Sequence, residues 1–162
     1  MTAIRVRDSR ASDLEFLAAN HRSMARETER KTLPAAVVRR GTRAVLRDPS
    51  RGFYLIAEVD GRTAGQLLVT RDWSDWRDGD FWWIQSVYVR PAFRRRGAYR
   101  ALYSAVADLA RHAGIVRGIR LYTARTNRAA QSTYRSLGMQ RTIYDVYEQL
   151  ITAPRRTGRR PR

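Results

Sequence analysis

The hydrophobic period of the chain changes at Val89. Before it, "DFWWIQSVYV" (Asp80 to Val89) carries apolar side chains at strand spacing; after it, Ala101, Leu102, Ala105, Val106, Leu109 and Ala110 recur at helical spacing until His112 and Gly114. Pro91, three consecutive arginines (Arg94, Arg95 and Arg96) and Gly97 separate the two periods. A strand, a cationic turn and a helix start must therefore follow one another directly. The first turn of a helix leaves N–H groups without partners and carries about half a positive charge, so this order of elements offers an anion-binding end. Gly97 has no side chain to keep a bulky ligand from the backbone, and the guanidinium groups add charge around the same turn. A diphosphate meets these conditions better than a single carboxylate. The Walker loop is absent because no Gly-Lys-Ser/Thr follows, and the dinucleotide fingerprint is absent because only one glycine is present.

Around this junction the remaining elements fall into place. "AIRVR" alternates as a strand, and "SRASDLEFLAANHRSMARETE" follows at helical spacing with Ser9 or Ser12 available as its cap. Pro34 opens a second helix that ends near "DPSRG". "FYLIAEV" and "TAGQLLVTRDW" are joined by Asp60-Gly61, a dipeptide suited to a tight hairpin, and with Asp80 to Val89 they form a three-stranded antiparallel meander. After the third helix, "IRLYTA" reads as a strand, "NRAAQSTYRSLG" as a short helix closed by Gly138, and "QRTIYDVYEQL" as a last strand. The fold class expected is mixed α/β: a mostly antiparallel sheet of about six strands flanked by helices, in the order β-α-α-β-β-β-α-β-α-β. Residues 1–150 are expected to form a single domain, and 151–162 a basic, disordered tail holding Arg155, Arg156, Arg159, Arg160 and Arg162.

Composition narrows the chemistry. The chain lacks cysteine, and its two histidines, His21 and His112, are far apart, so disulfides, cysteine nucleophiles and a zinc site are not expected. No apolar run approaches the roughly 20 residues of a membrane span, and a cytoplasmic protein without membrane contact is the expectation. Basic side chains number 32 against 15 acidic ones, with Lys31 the sole lysine. Guanidinium forks match phosphate geometry, which leaves a phosphorylated cofactor or nucleic acid as the anionic partner.

The stretch from Arg94 to Tyr99, "RRRGAY", resembles the cofactor motif of the GCN5-related N-acetyltransferase superfamily, in which Arg/Gln-x-x-Gly-x-Gly/Ala follows a strand and proline. "NRAAQSTYRSLGM" resembles the family's second segment, with Asn127, Ala130, Tyr134, Gly138 and Met139 in register. Tyr99 departs from the pattern, standing where the family has a small residue, so that either the loop opens slightly or the ring lies outside the diphosphate. The resemblance implies acetyl-CoA as cosubstrate, held where the fourth and fifth strands splay apart. Its diphosphate would lie on the N–H groups of Arg95, Arg96, Gly97, Ala98, Tyr99 and Arg100, and its pantetheine arm along the backbone of Val87, Tyr88 and Val89. Of Arg94, Arg95 and Arg96, one is expected to face inward and two solvent. A homodimer is expected from the family's habits.

The resemblance makes Tyr134 the general acid. A phenol with a pKa near ~10 is protonated at neutral pH and can donate to a departing thiolate whose conjugate acid is near ~8.5. Many relatives carry a glutamate on the fourth strand, where this chain has Gln85 and Ser86. A water held by Gln85 or Ser86 is the simplest replacement for the missing base; Glu27 and Glu29 are further candidates, Glu27 first because Asn20, Met24 and Glu27 share a helix face. All four tryptophans and four acids, Asp72, Asp75, Asp78 and Asp80, fall within "RDWSDWRDGDFWW", an acidic, aromatic island suited to a cationic small-molecule amine. The alternatives are a nucleic-acid-binding protein using the basic surface and tail, and a non-catalytic acyl-CoA sensor.

Overall fold

A computed structural model describes residues 2–151. They group into two compact units that divide between Arg125 and Thr126. The first unit runs β1 (Ile4–Asp8), α1 (Leu14–Glu29), α2 (Ala35–Arg47), β2 (Phe53–Val59), β3 (Arg62–Ser74), β4 (Gly79–Val89), α3 (Ala98–Ala113) and β5 (Val116–Arg120). In the second, α4 (Arg128–Ser136) is the regular element among the described residues.

The five strands lie in sequence order in one sheet, antiparallel from β1 to β4 and parallel between β4 and β5. Strand alternation divides the apolar side chains between two faces. On one face Leu55, Leu67, Val69 and Trp82 are buried with Leu102 and Val106 of α3. On the other, Tyr54 and Ile56 are buried with Leu17 of α1. The two periods read from the sequence thus meet across a single sheet, with the α3 face supplying the larger core.

The start of α1 differs from expectation, since neither Ser9 nor Ser12 caps it. A single 3-10 turn, Ala11–Asp13, leads in, and the helix has no side-chain cap. Asp13 closes that turn instead, accepting from the Arg10 amide at 2.7 Å and from both terminal nitrogens of Arg7 at 2.8 and 2.9 Å. Arg7 also donates to Glu58 at 2.6 Å, so one mostly buried guanidinium ties β1, the turn and β2 together. A carboxylate offered a charged fork outcompetes a neutral hydroxyl for the same corner.

The last two expected strands require correction. β5 occupies Val116–Arg120 rather than "IRLYTA", because its register follows from Gly118 lying under Phe81: a Cβ there would stand 2.6 Å from the ring. The ladder with β4 ends at Trp83 and Arg120, and the residues after Arg120 find no strand to pair with. "QRTIYDVYEQL" forms no strand, so among the described residues the sheet has five strands and not six. Its alternating side chains are exposed, Ile143 at 92% and Tyr147 at 95%. Alternation makes a strand only where a ladder partner exists, and the described part of the second unit supplies none. The arginines of the tail lie outside the described residues. No described helix is long and apolar enough to cross a membrane.

Candidate active site

The cationic turn joins β4 to α3 through a short 3-10 turn at Pro91–Phe93. Arg95 and Gly97 both take positive φ, 63° and 91°, before the helix begins at Ala98. At Gly97 this conformation costs a glycine nothing and would strain any other residue. Gly97 caps α3 without a side chain, so the first-turn N–H groups and the positive end of the helix dipole lie open to an anion. Ala98 is buried and anchors the helix start, while Arg95, Arg96 and Arg100 are exposed around it. Arg96 lies 3.9 Å from Asp60. The Tyr99 ring runs along the helix toward Tyr103, with ring centres 6.5 Å apart, so the larger residue is accommodated on the helix flank.

Upstream of this turn the sheet opens. β5 pairs with β4 from Asp80 to Trp83, so among the described residues the edge of β4 from Ile84 to Val89 faces no strand on that side. The opening starts beside a bulge: Leu68 pairs with Ser86 and Val69 with Ile84, which leaves Gln85 as the extra residue of β4. Gln85 Nε2 donates to Thr70 Oγ1 at 3.0 Å, and the Tyr122 hydroxyl donates to Gln85 Oε1 at 3.2 Å. Arg120 stacks on Phe81 at 3.5 Å and packs over Trp83 at the point where the strands part. Tyr88 pairs with Gln66 and Arg90 donates to the Ala64 carbonyl, so the backbone groups of Val87 and Val89 turn to the open side, along an edge that ends at the turn before α3.

Glu27, at the end of α1, is part of the same construction. One carboxylate oxygen accepts from the Tyr88 hydroxyl at 2.5 Å and the other from Arg94 Nη2 at 2.5 Å. These two donors, Tyr88 first, hold its carboxyl below the usual range. Arg94 also donates from Nε to the Val89 carbonyl at 2.9 Å. Glu29 instead pairs with Lys31 at the surface. Asn127 caps α4 by accepting from the Ala130 amide at 3.1 Å. Ala130, Tyr134 and Leu137 are half-buried positions on one face of the second unit.

The acidic, aromatic island divides. Trp82 is in the core and Trp83 at the parting of the strands, whereas Trp73 is 56% and Trp76 86% exposed on the β3–β4 hairpin. Asp72 accepts from Trp83 Nε1 at 3.3 Å and lies 3.8 Å from Arg120, and Asp75 closes its own turn on the Trp76 amide. Among the described residues no group of three or more His, Asp or Glu could hold a metal ion.

The family described as the Acetyltransferase (GNAT) family matches residues 15–139. The chain belongs to this family. The crystal structure of a possible acetyltransferase from Clostridium difficile 630 is 36% identical, with a TM-score of 0.86, 93% of this chain covered and 99% of that one. A segment of 62 residues is 40% identical to Thialysine N-epsilon-acetyltransferase of Caenorhabditis elegans and covers 38% of this chain. The match spans 38% of that curated relative's length. The structure of AAC(6')-Iy in complex with the bisubstrate analog CoA-S-monomethyl-acetylneamine shares the fold, with a TM-score of 0.77 at 19% identity over 93% of this chain and 99% of that one.

The matched segment, residues 15–139, takes in both the glycine turn and the open β4 edge. Two polar clusters carry no local sequence signal. Thr70 and Tyr122 gather at the bulge from segments distant in sequence, and nothing local marks them. Under α1, His21 Nε2 lies 2.9 Å from the Tyr54 hydroxyl and 3.3 Å from Gln66 Nε2. Burial favours the neutral imidazole, lowering the His21 pKa, and pushes the Tyr54 hydroxyl up to about 12.

Proposed function

We propose that the protein transfers an acetyl group from acetyl-CoA directly to a cationic small-molecule amine, with Tyr134 as the general acid. The observation that carries the proposal is the continuity of the open β4 edge with the Gly97 turn: a thioester laid along Val87 to Val89 would have its diphosphate on α3 and its carbonyl near the Gln85 bulge. In the transfer the amine nitrogen bonds to the thioester carbon and the carbon–sulfur bond breaks. The thiolate takes its proton from the Tyr134 hydroxyl, and the amine's surplus proton leaves through a water held at Gln85 or Ser86. The bulge suits this step because it leaves backbone groups outside the ladder, free to polarise a carbonyl. Glu27, with both carboxylate oxygens taken, is less suited to accept the proton than this water.

The amine's charge is argued from the hairpin and the relatives. Trp73 and Trp76 expose indole faces beside Asp75, Asp78 and Asp80, a combination that attracts a cation and covers its carbon skeleton. The named relatives act on or bind amines of this character, a thialysine in one and an aminoglycoside analog in the other. A thiol-release screen with acetyl-CoA across amines of graded charge tests the proposal. Faster turnover of polyamine-like or aminoglycoside-like amines than of neutral or acidic ones is expected. Equal rates across the series overturn the cationic acceptor, and no thiol release on any amine overturns the catalytic assignment.

A further inference from the structure

The contacts of Glu27 form a closed ring around the end of β4. Its carboxylate binds the Tyr88 hydroxyl and Arg94 Nη2, while Arg94 Nε binds the carbonyl of Val89, the residue next to Tyr88. The Arg94 guanidinium also lies over the Tyr88 ring, 5.4 Å from its centre. Val89 ends the open edge of β4, and Arg94 stands three residues before the glycine that starts α3. The ring therefore spans both halves of the coenzyme-binding surface, the edge and the turn, and fastens them to α1. Its donors leave Glu27 a poor proton acceptor.

We propose that Glu27 is a positioning residue for the coenzyme: by holding Arg94 and Tyr88 together it keeps the β4 edge and the anion-binding turn in the relative geometry that acetyl-CoA requires. Arg94 then contributes through the Val89 carbonyl and not as a phosphate ligand, and the diphosphate is left to the backbone N–H groups with Arg95, Arg96 and Arg100. Binding strength gained this way comes from preorganisation, since the turn need not be ordered when the ligand arrives. The inference rests on the acetyl-CoA-dependent activity proposed above.

The test is Glu27→Gln, which preserves shape and an acceptor for Tyr88 but removes the attraction for Arg94. Coenzyme A and acetyl-CoA binding are measured calorimetrically without any acceptor, and kcat with its pH profile at saturating acetyl-CoA. Both partners are near 40% exposed, so the effect expected is about fivefold in Kd and in the KM for acetyl-CoA, at the modest end for charged bonds. The expected kcat and pH profile are those of the unsubstituted protein. Arg94→Met should weaken binding similarly, and the double variant no more than the weaker-binding single one, because both break the same ring.

An unchanged Kd in Glu27→Gln overturns the proposal, as do additive losses in the double variant. A fall in kcat with a displaced pH limb overturns it in favour of a base. If the unsubstituted protein binds acetyl-CoA while Glu27→Gln binds it equally well, only the positioning role fails. If the unsubstituted protein binds none, the transferase function fails with it.

Discussion

Replacing Asp13 with Asn probes the joint that sets α1 on the sheet. Asp13 is 7% exposed and accepts three hydrogen bonds, two from Arg7 and one from the Arg10 amide. Stranding a buried charge costs about 3–5 kcal/mol. Arg7 is not stranded here, because Glu58 remains 2.6 Å from its Nε, and an asparagine oxygen can still accept one bond. The loss is then about 2–3 kcal/mol, near that of one charge-assisted hydrogen bond. For a chain of this size that lowers Tm by about 4–12 °C. Arg7 is the main cause of the depressed Asp13 pKa, with the Arg10 amide assisting. A group whose folded pKa is lowered stabilises fully above its unfolded value, near ~4, and loses that stabilisation as pH falls through the folded value. Thermal unfolding of both proteins from pH 7 to pH 3 should therefore show a gap that narrows below about pH 4 as the carboxyl takes up its proton. Equal Tm values at pH 7, or a gap of constant size down to pH 3, would refute the assignment of this stability to the ionised carboxylate.

Three further substitutions address the site. Tyr134→Phe should retain acetyl-CoA binding and lose turnover on the order of 10²-fold, the usual worth of one positioned acid; steady-state kinetics with calorimetry separates the two, and unchanged turnover removes Tyr134 from the mechanism. Gly97→Val places a β-branched residue at φ 91°, which should cost at least about 1–2 kcal/mol of stability and weaken coenzyme binding; denaturant unfolding and direct titration read both effects, and a Kd like that of the unsubstituted protein would show that the turn does not touch the ligand. Trp76→Ala removes an indole that is 86% exposed, so Tm should hold while KM for a cationic amine rises severalfold; an unchanged KM detaches the hairpin tip from acceptor binding.

Local chemistry made most of the elements legible. The boundary at Gly97, the Asp60-Gly61 hairpin, Pro34 at the head of α2 and Asn127 at the head of α4 each depend on what a single residue can do to the backbone next to it. The junction of β4 and α3 is legible for the same reason, since a turn, a glycine and a helix start are contiguous in the chain. Ser9 and Ser12 failed as caps because the deciding partner, Arg7, acts through a charged contact that also involves β2.

The sequence by itself determined where the backbone bends, which faces are apolar and that a glycine turn heads α3, because these follow from φ preferences and periodicity over neighbouring residues. Only the tertiary structure decided that β5 stops at Arg120, that Gln85 bulges beside Thr70 and Tyr122, and that Glu27 holds Arg94 and Tyr88. Those outcomes depend on strand register and on side chains meeting across large sequence separations, where the energy of each contact exists only once the other elements are in place.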